Sequence, residues 1–261
     1  MTKRFDWRIF FILLAAATFG GIVILPYALA LQGDVLDQVP LPLNVLIPLQ
    51  ILQNTVLFAV VIAIGMAAAR RIGLGLPILE AKLAGEPVQA RIKLILPVSI
   101  LLGVAASSLI ILLDVFVFGP ALTAELGDQF SALSLQGAQP AAWKGLLASF
   151  YGGINEELLL RLFLMSLLAW LGGFIRKTAD GRPTTAVLWI ANILAAVIFG
   201  LGHLPATSLL FPLTTLVILR AVVLNGIAGV AFGYLYFRHG LESAMLAHFS
   251  ADILLHVLLA L

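Results

Sequence analysis

The sequence predicts an all-α, polytopic transmembrane bundle of about seven to eight helices around a buried polar cavity, and three observations carry that expectation. The 261 residues are 62% hydrophobic and 11% charged, with a mean hydropathy of +1.11, a composition that suits an integral membrane protein rather than a soluble domain. Apolar runs long enough for about 20 helical residues recur along the whole chain. Inside those runs the few ionisable residues stand at helical spacings.

The first run, 9–31, follows Lys3, Arg4 and Arg8. It ends in Ala28-Leu29-Ala30, which resembles a signal-peptide cleavage site, but it exceeds the roughly 7 to 15 apolar residues of a signal sequence, so the expectation is an uncleaved first helix. Further spans are expected at 43–69, 94–118, 145–174, 185–203, 214–237 and 241–261. The stretch 72–91, with Pro77, Glu80, Lys82, Gly85-Glu86-Pro87 and Arg91, reads as a link containing a short interfacial helix.

Charge placement orients these crossings. Lys and Arg cluster before the first span, within 70–93, within 176–182 and at Arg238, whereas the segments around Asp34 to Asp37 and Glu125 to Asp128 carry acids and no Lys or Arg. The positive-inside rule then puts the N-terminus in the cytoplasm of a bacterial-type plasma membrane. The formal net charge of +2 reflects these basic loops and implies membrane lipids as partners, with no case for nucleic acid. No cysteine is present, which removes disulfides, a thiolate nucleophile and thiolate zinc sites.

No internal repeat and no soluble linker interrupts the chain, so 1–261 reads as one membrane domain, and the inverted-repeat architecture of many transporters loses support. Segment 141–177 would measure about 55 Å as one helix at 1.5 Å per residue, beyond the roughly 30 Å hydrocarbon core. It must tilt, protrude or break, and Gly152-Gly153 is the expected break.

Just beyond those glycines, Glu156-Glu157-x-x-x-Arg161 places charge inside an apolar run. A charged group at the bilayer centre costs roughly 2.5 to 3.5 kcal/mol on insertion scales, so such residues usually face a cavity and do chemistry or transport. Glu157 and Arg161 are one turn apart and can neutralise each other. Glu156 points about 100° away and is left as the working carboxylate. The bland reading joins all three in one ion-pair cluster between helices.

Two histidines stand in similar surroundings. Phe199-x-x-x-His203 contains two glycines that permit close approach of another helix or a substrate, and His248-x-x-x-Asp252 puts an imidazole and a carboxylate on one face. A single membrane histidine is often an interhelical hydrogen bonder. Neutral imidazoles together with a carboxylate are also what activating a water requires, either directly as general base or around zinc or another divalent ion. Counted along straight helices, His248 lies about 15 Å from the Arg238 end while His203 lies near the opposite end of its helix, so the two depths disagree.

Other chemistries lack their motifs. No His-Glu-x-x-His, no Gly-x-Ser-x-Gly and no Gly-x-x-x-x-Gly-Lys occurs. His239 reads as a cytoplasmic loop residue and His256 as an uninvolved one, while Asp114, Arg220 and Asn225 are candidates to line the same cavity.

Taken in order, Glu156-Glu157-x-x-x-Arg161, Phe199-x-x-x-His203 and His248-x-x-x-Asp252 resemble the CPBP family of intramembrane metalloproteases. That family includes the type II CAAX prenyl endopeptidases, such as the Ras-converting enzyme, and bacteriocin-processing and immunity proteins. The resemblance covers about 145–252, within a motif core of 141–261. It implies that Glu156 activates the hydrolytic water with His203 as assisting base or ligand, and that His248 and the residue at Asp252 stabilise the oxyanion. Glu157, Arg161 and Phe199 would support the site. The family's last motif often ends in Asn, whereas an ionised Asp252 only accepts hydrogen bonds, so Asp252 would instead orient His248 or contribute to a metal site.

The resulting expectation is an endopeptidase acting on a lipidated, CAAX-type or membrane-embedded peptide that enters laterally, with a zinc or other divalent cofactor left open. The competing expectations are a non-catalytic immunity or binding protein and a proton-coupled transporter using Glu156, Glu157 and Asp252.

Overall fold

A computed structural model describes residues 5–32, 41–127 and 140–261. It is a bundle of α-helices in which, among the described residues, six helices are long and apolar enough to cross a membrane: Trp7–Gln32, Leu43–Ile72, Gln89–Leu126, Thr185–Thr207, Thr215–His239 and Leu241–Ala260. A seventh helical run, 142–172, carries the Glu-Glu-x-x-x-Arg motif. The protein is an integral, multi-pass membrane protein.

The first crossing is α1 (Trp7–Val23) followed by α2 (Leu25–Gln32). Asp6 caps α1 by accepting from the Arg8 backbone N–H at 3.0 Å. Its carboxyl is held below the ordinary range, chiefly by hydrogen bonding to the Arg8 side chain. The helix breaks at Ile24, two residues before Pro26, which has no N–H to donate to the Ile22 carbonyl.

α3 (Leu43–Ile72) shows why the bundle needs lipid. Leu52, Val56, Val60 and Ile64, spaced one turn apart, are 42 to 60% exposed, while Phe58, Val61, Ile62, Ala68 and Ala69 are buried. A continuous apolar stripe facing outward on a helix is the pattern of a membrane-facing surface. α3 ends at Gly73, whose φ of 76° takes the left-handed conformation that glycine adopts without strain.

α4 (Pro77–Leu83) is the short helix expected in the link. The Glu242 carboxylate accepts from the backbone N–H groups of Ile78 and Leu79 at 3.0 and 2.8 Å, which ties the start of α4 to the last crossing. α5 (Gln89–Leu113) runs through a π-helical turn at Asp114–Phe118 into α6 (Gly119–Leu126). Pro120 supplies no N–H there, and the Gly119 N–H reaches back to the Asp114 carbonyl instead. This crossing is longer than the 94–118 expected.

α7 (Ala142–Tyr151) is continued by π-helical stretches at Gly152–Glu156 and Leu158–Met165 and by α8 (Ser166–Gly172). The expected break at Gly152-Gly153 is therefore a widening: the backbone stays helical but shifts its hydrogen bonds. A π-helical insertion rotates the residues beyond it without exposing backbone groups to the bilayer.

α9 (Thr185–Gly202) and α11 (Thr215–His239) each start on a threonine cap, Thr184 accepting from Val187 at 3.4 Å and Thr214 from Val217 at 3.3 Å. Between them lies α10 (Leu204–Thr207). His239, expected in a loop, is the last residue of α11, where the helix runs on to Gly240 (φ 97°). α12 (Leu241–Asp252) completes the bundle with a π-helical stretch at Ile253–Val257. One apolar core built from α1, α3, α9, α11, α12 and 158–169 fills the end of the bundle where α3 and α11 finish.

Candidate active site

Glu157 is fully buried and holds two partners. Arg161, one turn on, lies 2.8 Å from its Oε1 with 2% of the side chain exposed. His248 Nδ1 donates to the same oxygen at 2.7 Å. A buried carboxylate with a cation and an imidazole on it is compensated where an isolated one would not be. Arg161 also donates from Nη2 to the Gly229 carbonyl at 3.1 Å and lies over the rings of Phe199 and Phe232 at 5.3 and 5.5 Å. The expected Glu157–Arg161 pairing is present, and α12 is joined to it.

With Nδ1 engaged, Nε2 of His248 turns to a cavity. It lies 3.5 Å from Glu156 Oε2 and 3.7 Å from Asp252 Oδ1. Glu156 is 23% exposed on its side chain against 0% for Glu157, so the adjacent carboxylates have different environments: one anchored in the core, one open to the cavity. Phe232 stacks on His248 at 4.7 Å between centroids. Asp252 is not the group that orients His248 through a hydrogen bond; Glu157 is.

His203 follows the last residue of α9, and its Nδ1 donates to the Phe199 carbonyl at 2.9 Å. That contact leaves Nε2 as the acceptor of a neutral imidazole. Phe199 meets His203 at 4.6 Å and His248 at 5.9 Å, ring to ring. Both histidines line one cavity, and Phe199 is in ring contact with each.

The cavity measures about 530 Å³ and is lined by Glu156, His203, His248 and Asp252, a size suited to a small ligand or a short peptide segment. Gly152 makes room for it, since a Cβ there would collide with Asp252 Oδ2 and stand 3.0 Å from His248 Nε2. Asp114, Arg220 and Asn225 line it as expected, and Arg220 grips Asp114 with two bonds of 2.6 and 2.7 Å. His256 lines it too, against its expected neutrality, with Nδ1 3.3 Å from the Tyr27 hydroxyl. Tyr27 and Tyr151 were missed from sequence. Tyrosines in an apolar run carry no spacing signal, although Tyr151 directly precedes the glycine pair.

Among the described residues, no three His, Asp or Glu side chains are grouped as a metal ion requires. No step below is routed through a metal.

Residues 138–254 match the family model described as Type II CAAX prenyl endopeptidase Rce1-like. No curated protein and no solved structure matches the chain.

Proposed function

We propose, from the premise that residues 138–254 place this chain in the Rce1-like family of type II CAAX prenyl endopeptidases, that it hydrolyses a peptide bond inside the membrane with Glu156 as the base that activates water. The family is one of membrane proteases. The observation that carries the mechanism is the split between the two glutamates: Glu157 locks His248 Nδ1 at 2.7 Å while Glu156, 3.5 Å from Nε2, is open to the cavity.

The reaction follows from these positions. Glu156 takes a proton from water, assisted by the free Nε2 of His203, and the resulting hydroxide bonds to the scissile carbonyl carbon. His248, protonated on both nitrogens, donates from Nε2 to the oxyanion of the tetrahedral intermediate, and Asp252 balances the imidazolium charge. The C–N bond then breaks as Glu156 passes its proton to the leaving amine. Phe199 packs against both imidazoles.

The substrate class that suits a largely apolar cavity beside lipid is a lipidated or membrane-embedded peptide. Detergent-purified protein offered fluorogenic prenylated and transmembrane peptides should cleave at least one, and both Glu156→Gln and His203→Ala should abolish the cleavage. Cleavage that survives Glu156→Gln would overturn the assignment.

A further inference from the structure

We infer that a second cavity, of about 860 Å³ and lined by α1, α3, α4, α5 and α11, is a binding site for an anionic membrane phospholipid whose headgroup phosphate is held by Arg70, Arg182 and Arg238. It shares no lining residue with the cavity that contains Glu156 and His248, so the inference stands apart from the cleavage chemistry.

Positive charge is in excess there. Arg8, Arg70, Arg91, Arg182 and Arg238 line the cavity together with only two carboxylates, Asp6 and Glu80. Asp6 is spent on Arg8, from which it accepts bonds of 3.3 and 3.0 Å. Glu80 Oε1 accepts from the Leu76 backbone N–H at 3.2 Å, and Arg91 Nη1 donates to the Pro77 carbonyl at 2.9 Å. Among the described residues, the side chains of Arg70, Arg182 and Arg238 have no hydrogen-bond or ion-pair partner. The negative end of a helix dipole accounts for Arg70 and Arg238 standing in the last turns of α3 and α11, but it leaves their donors unspent.

Distant parts of the chain bring these groups together. Arg182, from the link between α8 and α9, lies against Gly73, where a Cβ would stand 3.0 Å from the guanidinium Cζ and Nη1. Gly73 closes α3 one turn beyond Arg70. Gly240, two residues after Arg238, packs so closely on Pro77 that a Cβ would collide with the proline ring, and Pro77 is the residue whose carbonyl holds Arg91. The floor of the cavity is fixed from α12: the Leu241 N–H donates to the Gly75 carbonyl at 3.0 Å, and the Glu242 carboxylate holds the N–H groups of Ile78 and Leu79. A guanidinium presents a planar fork of N–H donors that matches two phosphate oxygens at once, so three of them without a protein partner form a cradle for that group.

The walls select a lipid over a free ion. Met66, Leu74, Leu94, Ile95 and Phe237 line the same cavity beside the arginines. Leu94 is 61% exposed, and Leu101, two turns on along the same face of α5, is 69% exposed. An apolar track therefore runs from the cavity onto the outward surface of α5. A headgroup seated on the arginines leaves its acyl chains along that track, where the bundle meets the bilayer. Basic pockets between membrane helices take anionic headgroups in this manner.

Delipidated, detergent-purified full-length protein tests the site, with retention of phosphatidylglycerol read by native mass spectrometry. The wild type should retain phosphatidylglycerol at concentrations where phosphatidylcholine is not retained, and inorganic phosphate at equal concentration should not displace it. The triple variant Arg70→Gln, Arg182→Gln and Arg238→Gln should bind phosphatidylglycerol about 100-fold more weakly, the scale of three cations on an anionic headgroup. A second triple variant, Arg71→Gln, Lys93→Gln and Arg176→Gln, removes the same charge from residues that do not line the cavity and should bind as the wild type does. Equal weakening in the two triple variants would overturn the site, because net charge alone would then govern binding. Equal retention of phosphatidylcholine by the wild type would overturn it as well, whether or not any variant folds. Displacement by inorganic phosphate would overturn the lipid and assign the cradle to a free anion.

Discussion

His248 donates its Nδ1 proton to Glu157 across 2.7 Å, and that contact sets the direction of its other nitrogen. Two helices distant in sequence are joined by it, since Glu157 lies between the π-helical stretches that follow α7, and His248 in α12. Glu157 thereby acts on the reaction through the imidazole it positions, and Arg161 lies 2.8 Å from the same carboxylate oxygen.

Removing one member of that cluster leaves the other charge buried and unpaired. Glu157→Met should destabilise the protein by about 3 to 5 kcal/mol, read as a lowered unfolding midpoint in detergent. The double variant Glu157→Met with Arg161→Met should recover much of that loss yet remain inactive, because His248 Nδ1 has lost its acceptor. A double variant with wild-type turnover would show that the cluster is only structural.

Glu156 has no comparable anchoring role. Glu156→Gln should lower kcat by a factor of about 100 or more, the scale of a lost general base, with the unfolding midpoint unchanged. A loss of stability matching that of Glu157→Met would place Glu156 in the structural cluster instead.

Gly152 faces Asp252 Oδ2 and His248 Nε2. Gly152→Ala should displace both and cost about 100-fold in kcat, the order expected for a misplacement of about 1 Å. Gly226 has open space at its Cβ position, and Gly226→Ala should leave activity intact and stabilise α11 by up to about 1 kcal/mol. Equal effects at the two positions would remove the steric argument.

The Asp114–Arg220 pair is 5 and 21% exposed on the two side chains. Arg220→Met should cost about 2 kcal/mol, below the fully buried range because water reaches the guanidinium. Thermal unfolding of Arg220→Met beside Arg220→Lys measures it, and an unchanged midpoint in both would show that the pair contributes nothing.

Chelation tests the chemistry from another side. A mechanism carried by Glu156, His203 and His248 should keep its rate in the presence of a strong zinc chelator. Loss of activity that zinc alone restores would show that a metal takes part.

The sequence by itself determined the class of this protein, most of its crossings and the identity of the charged residues worth watching. Composition and run length report burial in lipid directly, and one-turn spacing reports Glu157–Arg161 because both residues ride one helix. It also flagged Glu156 as the unpaired carboxylate by the same local geometry. What the sequence left open was every relation between helices. Only the tertiary structure decided that Glu157 rather than Asp252 orients His248, that Gly152-Gly153 widens a helix instead of breaking it, that His256 and Tyr27 face the cavity, and that Phe199 touches both histidines. The physical reason is that helical periodicity fixes which residues share a face, while the rotation and height of one helix against another depend on packing summed over the whole bundle.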